Sequence, residues 1–359
     1  MRYLIDIGHP AHVHYFKNLA FKLTSQGHEV LFTCRDKDVT IELLKHYKFR
    51  FVSFGKPYRS VPGKFFGMFY FTFRIILISV SFRPDMLLNA TMYAAVASRV
   101  LGKPHLSLED TFNMEQVKLY LPFTSYILTG DYAHPAMGRK EIQYSGYQEL
   151  MYLHPDYFKP DKTVLHELGI KENEPYVILR FVSWTASHDI RHKGIREANK
   201  ILAVSEFSKY ARVFISSEQE LPDTLIKYRI NIEPHRMHDA LAFACLVFGE
   251  SATMVTEGAM LGVPGIYLDN TSRYYTRDLE TRYELVFNFS ETEDDQIKAI
   301  EKGIELLRSD SVRREWRFKQ SKMLSEKINV TEFFVWFIEE WPESIRIMKE
   351  NPEYHSRFL

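Results

Sequence analysis

The hydrophobic and polar positions of this chain switch between the period of a strand and the period of a helix from the second residue onwards. The apolar run "RYLIDI" (2–7) predicts a strand, and the polar loop "GHPAHVH" (8–14) follows it. Apolar residues then recur at helical spacing over 15–26, Gly27 ends that pattern, and "HEVLFTC" (28–34) predicts a second strand. A strand, a helix and a strand in this order predict a parallel sheet.

The same alternation continues through both halves of the chain. Further strands are predicted at 84–90, 104–108, 125–130, 175–181, 211–217, 245–249 and 265–269. Residues 144–161 are rich in Tyr and Pro and show no clear period, so we expect the crossing between two domains there. The pattern therefore predicts an α/β fold of two Rossmann-like domains that face a cleft.

The expected boundaries follow from these patterns. The first domain covers residues 1–150 and the second covers residues 151–335. The aromatic-rich end of the chain, residues 336–359, is helical up to Pro342 in its pattern, and we expect it to pack at the junction of the domains. A length of 359 residues suits two domains of ordinary size.

The composition is that of a globular protein, with 45% hydrophobic and 26% charged residues. Lys and Arg together number 46, as do Asp and Glu, so no overall basic excess indicates a nucleic-acid partner. Cys34 and Cys245 lie far apart in apolar surroundings, which predicts free thiols in a reducing compartment. The first residues show no signal-peptide pattern. We therefore expect a cytoplasmic location.

One segment has the length and apolarity of a membrane span. Residues 64–85 are mostly apolar, but Arg74 lies near the middle. One interpretation is a buried or partly buried helix of an α/β domain. The other is a helix whose residues 65–82 dock the protein at the inner face of a membrane. A helix that spans the bilayer is not expected.

In the stretch "FGESATMVTEGAMLGVPGIYLD" (248–269), Glu257 stands inside a helix-like run of small and apolar residues. Ser251 is placed to cap this helix, whose first N–H groups and partial positive charge suit a phosphate. Small or hydroxylic side chains at Ala252 and Thr253 let a ligand approach the backbone. One turn deeper, Glu257 is placed to accept hydrogen bonds from two neighbouring sugar hydroxyls. Pairing of Glu257 with a nearby Arg, or capping of another element, is the alternative.

Residues 238–269 resemble the nucleotide-binding segment of GT-B glycosyltransferases, above all the transferase that adds N-acetylglucosamine to the peptidoglycan lipid precursor. They are also similar to the non-hydrolysing UDP-N-acetylglucosamine 2-epimerases. The shared strand, small-residue turn, helical glutamate and "LGVP" correspond here to Gly249, Ser251, Ala252, Glu257 and 261–264. The resemblance implies a base near the loop after the strand 175–181, a diphosphate at Ser251–Thr253 and a ribose on Glu257.

Nearly the whole chain resembles the glycosyltransferase-like family known as domain of unknown function 354. The matching stretches are "IDIGHPAHVHYFK" (5–17), "GYQELMYLHP" (146–155) and "RFVSWTASHD" (180–189). The resemblance implies a GT-B type of fold, with the acceptor on the side of the first domain and the nucleotide sugar on the side of the second. It leaves the reaction open, since one fold serves many functions.

The loop after the first strand carries the first candidate chemistry. We predict that Gly8 and His9 contact substrate, with His9 as a general base toward an acceptor hydroxyl or as a group that steadies phosphate charge. His12 and His14 fit helix capping or packing equally well. A zinc site built from the three histidines is the rival functional reading.

Glu109 and Asp110 follow the predicted strand 104–108. The similar epimerases carry a cleft glutamate at a comparable loop, which implies an acid/base role for Glu109. Capping of the next helix is the alternative for both residues. The epimerase pattern also has an aspartate after the preceding strand, where this chain reads "LLNATMY" (87–93), so the resemblance departs there.

Polar residues after the strands of the second half complete the predicted site. Arg180 would neutralise diphosphate charge, with Ser183 beside it, and His188 would contact the leaving group. Ser216 lies near the end of the next predicted strand, 211–217, and is predicted to line the pocket of the nucleotide base.

The loop after "GIYL" (265–268) adds Asp269 and Arg273, which are predicted to approach the donor sugar. GT-B enzymes generally stabilise the leaving diphosphate by a helix dipole and basic groups. We therefore expect no metal and no other cofactor.

These features lead to one leading hypothesis and two alternatives. The first is a glycosyltransferase that moves a sugar from a nucleotide-diphosphate sugar, expected to be UDP-linked, to a saccharide or lipid-linked acceptor in cell-surface polysaccharide or glycolipid assembly. The alternatives are a non-hydrolysing UDP-sugar 2-epimerase-like enzyme and a non-catalytic protein that binds nucleotide sugars.

Overall fold

The computed structural model describes residues 1–58, 60–89, 91–171, 173–182 and 193–359. The chain forms two compact units. The first comprises Met1–Tyr157 together with Lys327–Leu359, and the second comprises Phe158–Glu326. The chain thus returns to the first unit at residue 327, whereas the sequence patterns assigned residues up to 335 to the second domain.

A parallel sheet forms the centre of the first unit. Among the described residues it has seven strands in the order β3-β2-β1-β4-β5-β6-β7. The strands are β1 (Arg2–Ile7), β2 (Glu29–Cys34), β3 (Phe51–Ser53), β4 (Met86–Leu88), β5 (His105–Leu108), β6 (Tyr126–Gly130) and β7 (Glu141–Tyr144). In the interior strand β1, Tyr3, Leu4 and Ile5 are fully buried, as expected for a strand covered on both faces.

Helices connect these strands. They are α1 (Pro10–Ser25), α2 (Thr40–His46), α3 (Val61–Phe82), α4 (Met92–Leu101), α5 (Met114–Tyr120) and α6 (Leu150–Leu153). The chain runs outward from β1 to β3 and then crosses to β4 on the other side of β1. The loops after β1 and β4 therefore lie at the point where the strand order reverses, which is where open parallel sheets bind ligands.

The second unit repeats this plan on a smaller scale. Its sheet, as far as the chain is described, has five strands in the order β12-β11-β10-β8-β9. The strands are β8 (Tyr176–Phe181), β9 (Arg212–Ser217), β10 (Leu246–Gly249), β11 (Gly265–Leu268) and β12 (Val286–Phe289). The helices are α7 (Thr163–Glu167), α8 (Glu197–Phe207), α9 (Asp223–Ile226), α10 (Met237–Phe243), α11 (Ala252–Met260), α12 (Tyr274–Thr281), α13 (Glu293–Arg308) and α14 (Val312–Glu326). The order reverses between β8 and β10, so the loops after these two strands mark its switch point.

The end of the chain packs on the first unit through α15 (Val330–Glu339) and α16 (Glu343–Glu350). The hydroxyl of Thr331 donates to the carbonyl of Met151 at 2.7 Å, and the amide of Asn18 donates to the same carbonyl at 2.8 Å. This carbonyl therefore joins α1, α6 and α15. The predicted helix does end before Pro342, since α15 stops at Glu339.

Three strands of the structure were not predicted, namely β3, β7 and β12. Each is the outermost strand of its sheet. An outermost strand is covered less completely, and in these three most residues are half-buried or exposed. Their sequences therefore lack the continuous apolar run that marked the central strands.

Candidate functional site

The turn between β10 and α11 requires glycine at position 249. Gly249 has a φ of +145°, and a Cβ placed there would lie 2.0 Å from the carbonyl oxygen of Arg180. No other residue type fits so close an approach to the neighbouring strand. The turn therefore keeps β8 and β10 tightly packed at their carboxyl ends.

Ser251 caps the helix that follows. Its Oγ accepts the backbone N–H of Met254 at 3.3 Å, as the sequence pattern predicted. The first turn of α11 then presents backbone N–H groups that have no acceptor within the helix. Ser251 and Thr253 are half-buried, and Ala252 between them is small. This helix start has the geometry and charge that suit a phosphate group.

Glu257 lies in the second turn of α11. Its carboxylate is buried, with only 4% of the residue's surface exposed. Its Oε1 lies 2.9 Å from Nε2 of His238, which belongs to α10 and is equally buried. Pairing of Glu257 with an arginine was the alternative in the sequence, and the structure pairs it with this histidine. His238 was not singled out in the sequence, where "HDALAFA" (238–244) reads as an ordinary helix.

Arg180 and Ser216 come together at the ends of β8 and β9. Nη1 of Arg180 donates to Oγ of Ser216 at 2.9 Å. Glu218 forms an ion pair with the same guanidinium. Since β10 lies on the other side of β8, Arg180 also stands next to Gly249. These residues form one polar group at the carboxyl end of the sheet.

Asp269 is a buried turn residue. Its Oδ2 accepts the hydroxyl of Tyr267 at 2.9 Å, and its Oδ1 accepts both the backbone N–H and the hydroxyl of Thr271 at 2.6 Å. Burial alone would raise the pKa of this carboxyl, but the hydrogen bonds from Thr271 and the charge of Arg273 outweigh it and hold the pKa below its ordinary value. Arg273 begins α12 as its half-buried N-cap residue.

Two buried glutamates hold the ends of the loop between β8 and α8. Glu250 accepts the backbone N–H of Val182 at 2.9 Å and that of Ile195 at 2.5 Å. Glu291 accepts the backbone N–H of Lys193 at 2.6 Å. Neither glutamate was singled out in the sequence, although an acid directly after a strand, as in "GES" (249–251), is a usable signal. The predicted contacts Ser183 and His188 belong to this loop and lie outside the described residues.

In the first unit, His9 is the N-cap residue of α1. Its Nδ1 accepts the backbone N–H of Ala11 at 3.2 Å, and Pro10 occupies the first helical position. In a neutral imidazole whose Nδ1 accepts, the proton sits on Nε2. In that form the exposed ring is a donor at Nε2 rather than a base.

His12 lies half-buried beneath this loop. Its Nδ1 lies 3.2 Å from the backbone nitrogen of Gly8 and 2.7 Å from the side-chain amide of Asn89. Burial, and then the positive charges of His9, Arg35 and Lys37, lower the pKa of His12 to about 3. His12 is thus a neutral acceptor for the N–H groups of Gly8 and Asn89.

His14 is a packing residue, stacked on Tyr152 with ring centroids 5.5 Å apart. His9, His12 and His14 therefore have three different environments. Within the described part of the chain, no group of three or more His, Cys, Asp or Glu side chains is arranged to hold a metal ion.

A buried ion pair supports the first loop from below. Asp6 is fully buried in β1, and its two oxygens lie 2.6 Å and 2.8 Å from Nη1 of Arg35. Hydroxyls of Thr33 and Thr91 also donate to this carboxylate, at 2.8 Å and 2.5 Å. A Cβ at Gly8 would lie only 3.3 Å from Thr91 and 3.4 Å from Arg35. Asp6 was not predicted as a site residue, yet a lone acid within an apolar strand is the same signal that Glu257 gave.

Glu109 is almost completely buried at the end of β5. Its carboxylate accepts the backbone N–H of Phe112 at 2.7 Å and that of Thr111 at 3.1 Å, and it bonds the hydroxyl of Tyr120. Burial, and then the negative charge of Asp110, raise the pKa of Glu109 to about 7 despite these hydrogen bonds. The residue therefore also caps the following turn, and its carboxyl can exchange a proton near neutral pH.

A series of side-chain contacts runs from His9 to Asp110, the residue next to Glu109. The rings of His9 and His12 are 6.2 Å apart, and the ring of Tyr15 stacks on His12 at 5.8 Å. The hydroxyl of Tyr15 donates to Asp110 at 3.2 Å. His9 thus connects to the carboxylate whose charge, after burial, raises the pKa of Glu109.

Replacing Glu109 by glutamine is expected to remove a pH dependence of stability. A carboxyl whose folded pKa is raised contributes stability that is full below its ordinary pKa and is lost as the pH rises through about 7. The free energy of unfolding of the wild-type protein should therefore fall, relative to that of Glu109→Gln, by about 2–3 kcal/mol as the pH rises from about 5 to about 8. Urea unfolding of both proteins measures this difference, with the exposed Glu115→Gln as control. Parallel pH profiles for wild type and Glu109→Gln would contradict the assignment.

Comparisons with known proteins place this chain among proteins of the same fold. The model of the family described as "Protein of unknown function (DUF354)" matches residues 1–282. The uncharacterized protein MJ0665 of Methanocaldococcus jannaschii is 23% identical over 283 residues, which are 73% of this chain and 80% of that protein.

Solved structures of other proteins show the same fold as this chain. The UDP-GlcNAc 2-epimerase from Neisseria meningitidis bound to UDP-GlcNAc has a TM-score of 0.70 at 13% identity, covering 95% of this chain and 100% of that chain. The glycosyltransferase VinC in complex with DTDP has a TM-score of 0.59 at 14% identity, covering 98% and 100%. At these identities the likeness shows the fold alone. The prediction of two Rossmann-like domains of the GT-B type is confirmed.

Proposed function

We propose that this chain, which belongs to the DUF354 family, is a glycosyltransferase that uses a nucleotide-diphosphate sugar as its donor. The observation that carries the proposal is the start of α11, where Gly249 and the Ser251 cap present helix N–H groups beside Arg180. Helix N-termini and guanidinium groups stabilise the charge that develops on a leaving diphosphate. That two structural neighbours hold UDP-GlcNAc and DTDP supports a nucleotide ligand for this fold.

In the proposed donor complex the diphosphate contacts Ser251–Thr253, and Ser216 lines the pocket of the base. The ribose hydroxyls reach the carboxylate of Glu257, which His238 orients from the neighbouring helix. Asp269 and Arg273 approach the donor sugar from the next strand end. Ser183 and His188 are proposed as further contacts, with His188 at the leaving group.

His9 is proposed to donate a hydrogen bond to an acceptor oxygen. Its Nδ1 is engaged in capping α1, and this supports a donor role for Nε2 rather than the role of general base. Glu109, whose pKa is raised to about 7 by burial, is the proposed proton acceptor for the acceptor hydroxyl. Gly8 lets the acceptor approach the backbone.

Replacing His9 by asparagine is expected to separate its role as the cap of α1 from its proposed role in the transfer reaction. Asparagine caps helices well, so the helix start should be retained while the imidazole is lost. We expect turnover of the donor to fall by at least about a hundredfold with the dissociation constant for UDP unchanged. Isothermal titration and a UDP-release assay with a panel of UDP- and dTDP-sugars measure the two quantities. Full turnover in His9→Asn would remove His9 from the mechanism.

A 2-epimerase reaction is the second candidate, and the raised pKa of Glu109 favours it, because epimerisation also needs an acid or base near neutral pH. Against it, Asn89 stands where the epimerase pattern has an aspartate, and an amide takes up no proton. Incubation with UDP-N-acetylglucosamine alone distinguishes the reactions by NMR. Inversion at C2 without an acceptor indicates epimerase, whereas a transferase leaves the sugar unchanged. Binding without inversion, and without UDP release when candidate acceptors are added, would indicate a non-catalytic nucleotide-sugar-binding protein.

The proposed setting is the cytoplasm, with a saccharide or lipid-linked acceptor in cell-surface polysaccharide or glycolipid assembly. Free Cys34 and Cys245 are consistent with a reducing compartment. No metal is proposed, since the helix start and Arg180 offer the positive charge that the diphosphate requires.

A further inference from the structure

Helix α3 has two apolar faces, and only one of them is covered. On one face Phe71, Ile75 and Phe82 are buried in a core cluster that includes Leu4 and Leu87 of the sheet. The other face carries large hydrophobic side chains that are between 50% and 65% exposed. They are Phe65, Phe66, Phe69, Phe73, Leu77 and Val80.

The exposed side chains form one continuous stripe. At about 100° per residue, the six positions fall within roughly one third of the helix circumference, on the side away from Phe71 and Ile75. A surface helix of a globular protein normally carries polar residues on that side. An apolar stripe of this length on a protein surface marks an interaction site.

The charges around the helix indicate what covers this stripe. From residue 43 to residue 84 the sequence contains no Asp or Glu, whereas eight positions are Lys or Arg. Lys56 is exposed before the helix, and Arg83 is exposed at its C-terminal cap. Arg50 is also exposed and lies against Phe82, its guanidinium carbon 5.9 Å from the ring centroid. Exposed cations at both ends of an apolar stripe complement anionic lipid headgroups around an acyl interior.

The packing of α3 indicates how this helix would meet a lipid bilayer. Residues Phe65–Phe82 meet the length and composition of a membrane span, and among the described helices this is the one that does. However, Phe71, Ile75 and Phe82 pack against the sheet of the first unit, and insertion across a bilayer would require that core to come apart. We infer that the exposed face of α3 is a docking surface for anionic membranes, whichever sugar reaction the protein catalyses.

The full-length protein should sediment with vesicles of phosphatidylglycerol and phosphatidylcholine, more strongly at low salt, and weakly with phosphatidylcholine alone. Substitution of Phe65, Phe69 and Phe73 by glutamine should weaken this binding by at least about tenfold, because affinity scales with the apolar area that is buried. Phe318→Gln is the matched control, since Phe318 is 74% exposed on the second unit. It should bind as wild type does.

Three results would overturn the proposal. One is wild-type protein that stays in the supernatant with both kinds of vesicle. Another is undiminished vesicle binding by the triple variant. The third is a wild-type dimer in sedimentation velocity that becomes monomeric in the triple variant without any vesicle binding, which would assign the face to a second copy of the chain. Circular dichroism checks that the triple variant is folded, and UDP binding by the same variant tests the sugar site independently.

Discussion

Replacing Glu257 by alanine is expected to lower the affinity for UDP by at least about a hundredfold, because each hydrogen bond to a charged group contributes roughly 1.5–3 kcal/mol. Two such bonds would be lost if the carboxylate holds both ribose hydroxyls. Isothermal titration of UDP measures the loss. UMP and uridine, titrated in parallel, report how much of the remaining affinity comes from the phosphates.

The burial of Glu257 makes the control essential. The alanine variant also leaves His238 buried without its carboxylate partner, so the fold itself loses stability. Glu257→Gln keeps an oxygen for the histidine and a similar volume, and it should remain folded while binding UDP more weakly than wild type. Wild-type affinity in Glu257→Gln, or in a folded Glu257→Ala, would mean that the carboxylate serves only to pair with His238. The ribose would then have to be bound elsewhere.

Replacing Asp6 by alanine is expected to lower the stability of the first unit by about 3–5 kcal/mol, since it leaves the buried guanidinium of Arg35 without its counter-charge. Hydroxyls of Thr33 and Thr91 lose their acceptor in the same variant. Scanning calorimetry follows the loss, and hydrogen exchange of β1 assigns it to this unit. Asp36 is exposed in the loop after β2, so Asp36→Ala should change the stability little.

A double variant tests the physical reason. Replacement of the pair by apolar residues, Asp6→Leu with Arg35→Met, should recover much of the stability, because it leaves no unpaired charge in the core. It should not recover turnover, since Gly8 and His9 would lose the support of the network beneath them. A single variant Asp6→Ala within about 1 kcal/mol of wild type would show that Arg35 finds solvent or another partner.

The central strands could be predicted from sequence for a simple reason. A strand buried on both faces must be apolar at successive positions, and β1, β8 and β10 show such runs without any knowledge of their neighbours. Local turn chemistry was equally readable, since the Ser251 cap depends on residues within a few positions of each other. The strands β3, β7 and β12 were missed because their partial exposure breaks the pattern.

Pairs between distant residues could not be predicted in this way. Glu257 stood out as an acid in an apolar helix, but nothing in the sequence connected it with His238, and the same holds for Asp6 and Arg35. Which ring nitrogen of His9 would act depends on the hydrogen bond from the backbone N–H of Ala11 to Nδ1. The acidity of Glu109 depends on burial and on Asp110, which are properties of the folded unit.

By itself the sequence determined the parallel α/β architecture, the two-fold alternation and the candidate loops, because period, turn residues and caps are short-range properties of the chain. Only the tertiary structure decided that residues 327–359 return to the first unit, which buried groups pair, and which face of α3 stays exposed. These depend on contacts between residues far apart in sequence, whose free energy exists only once both partners are held in the fold.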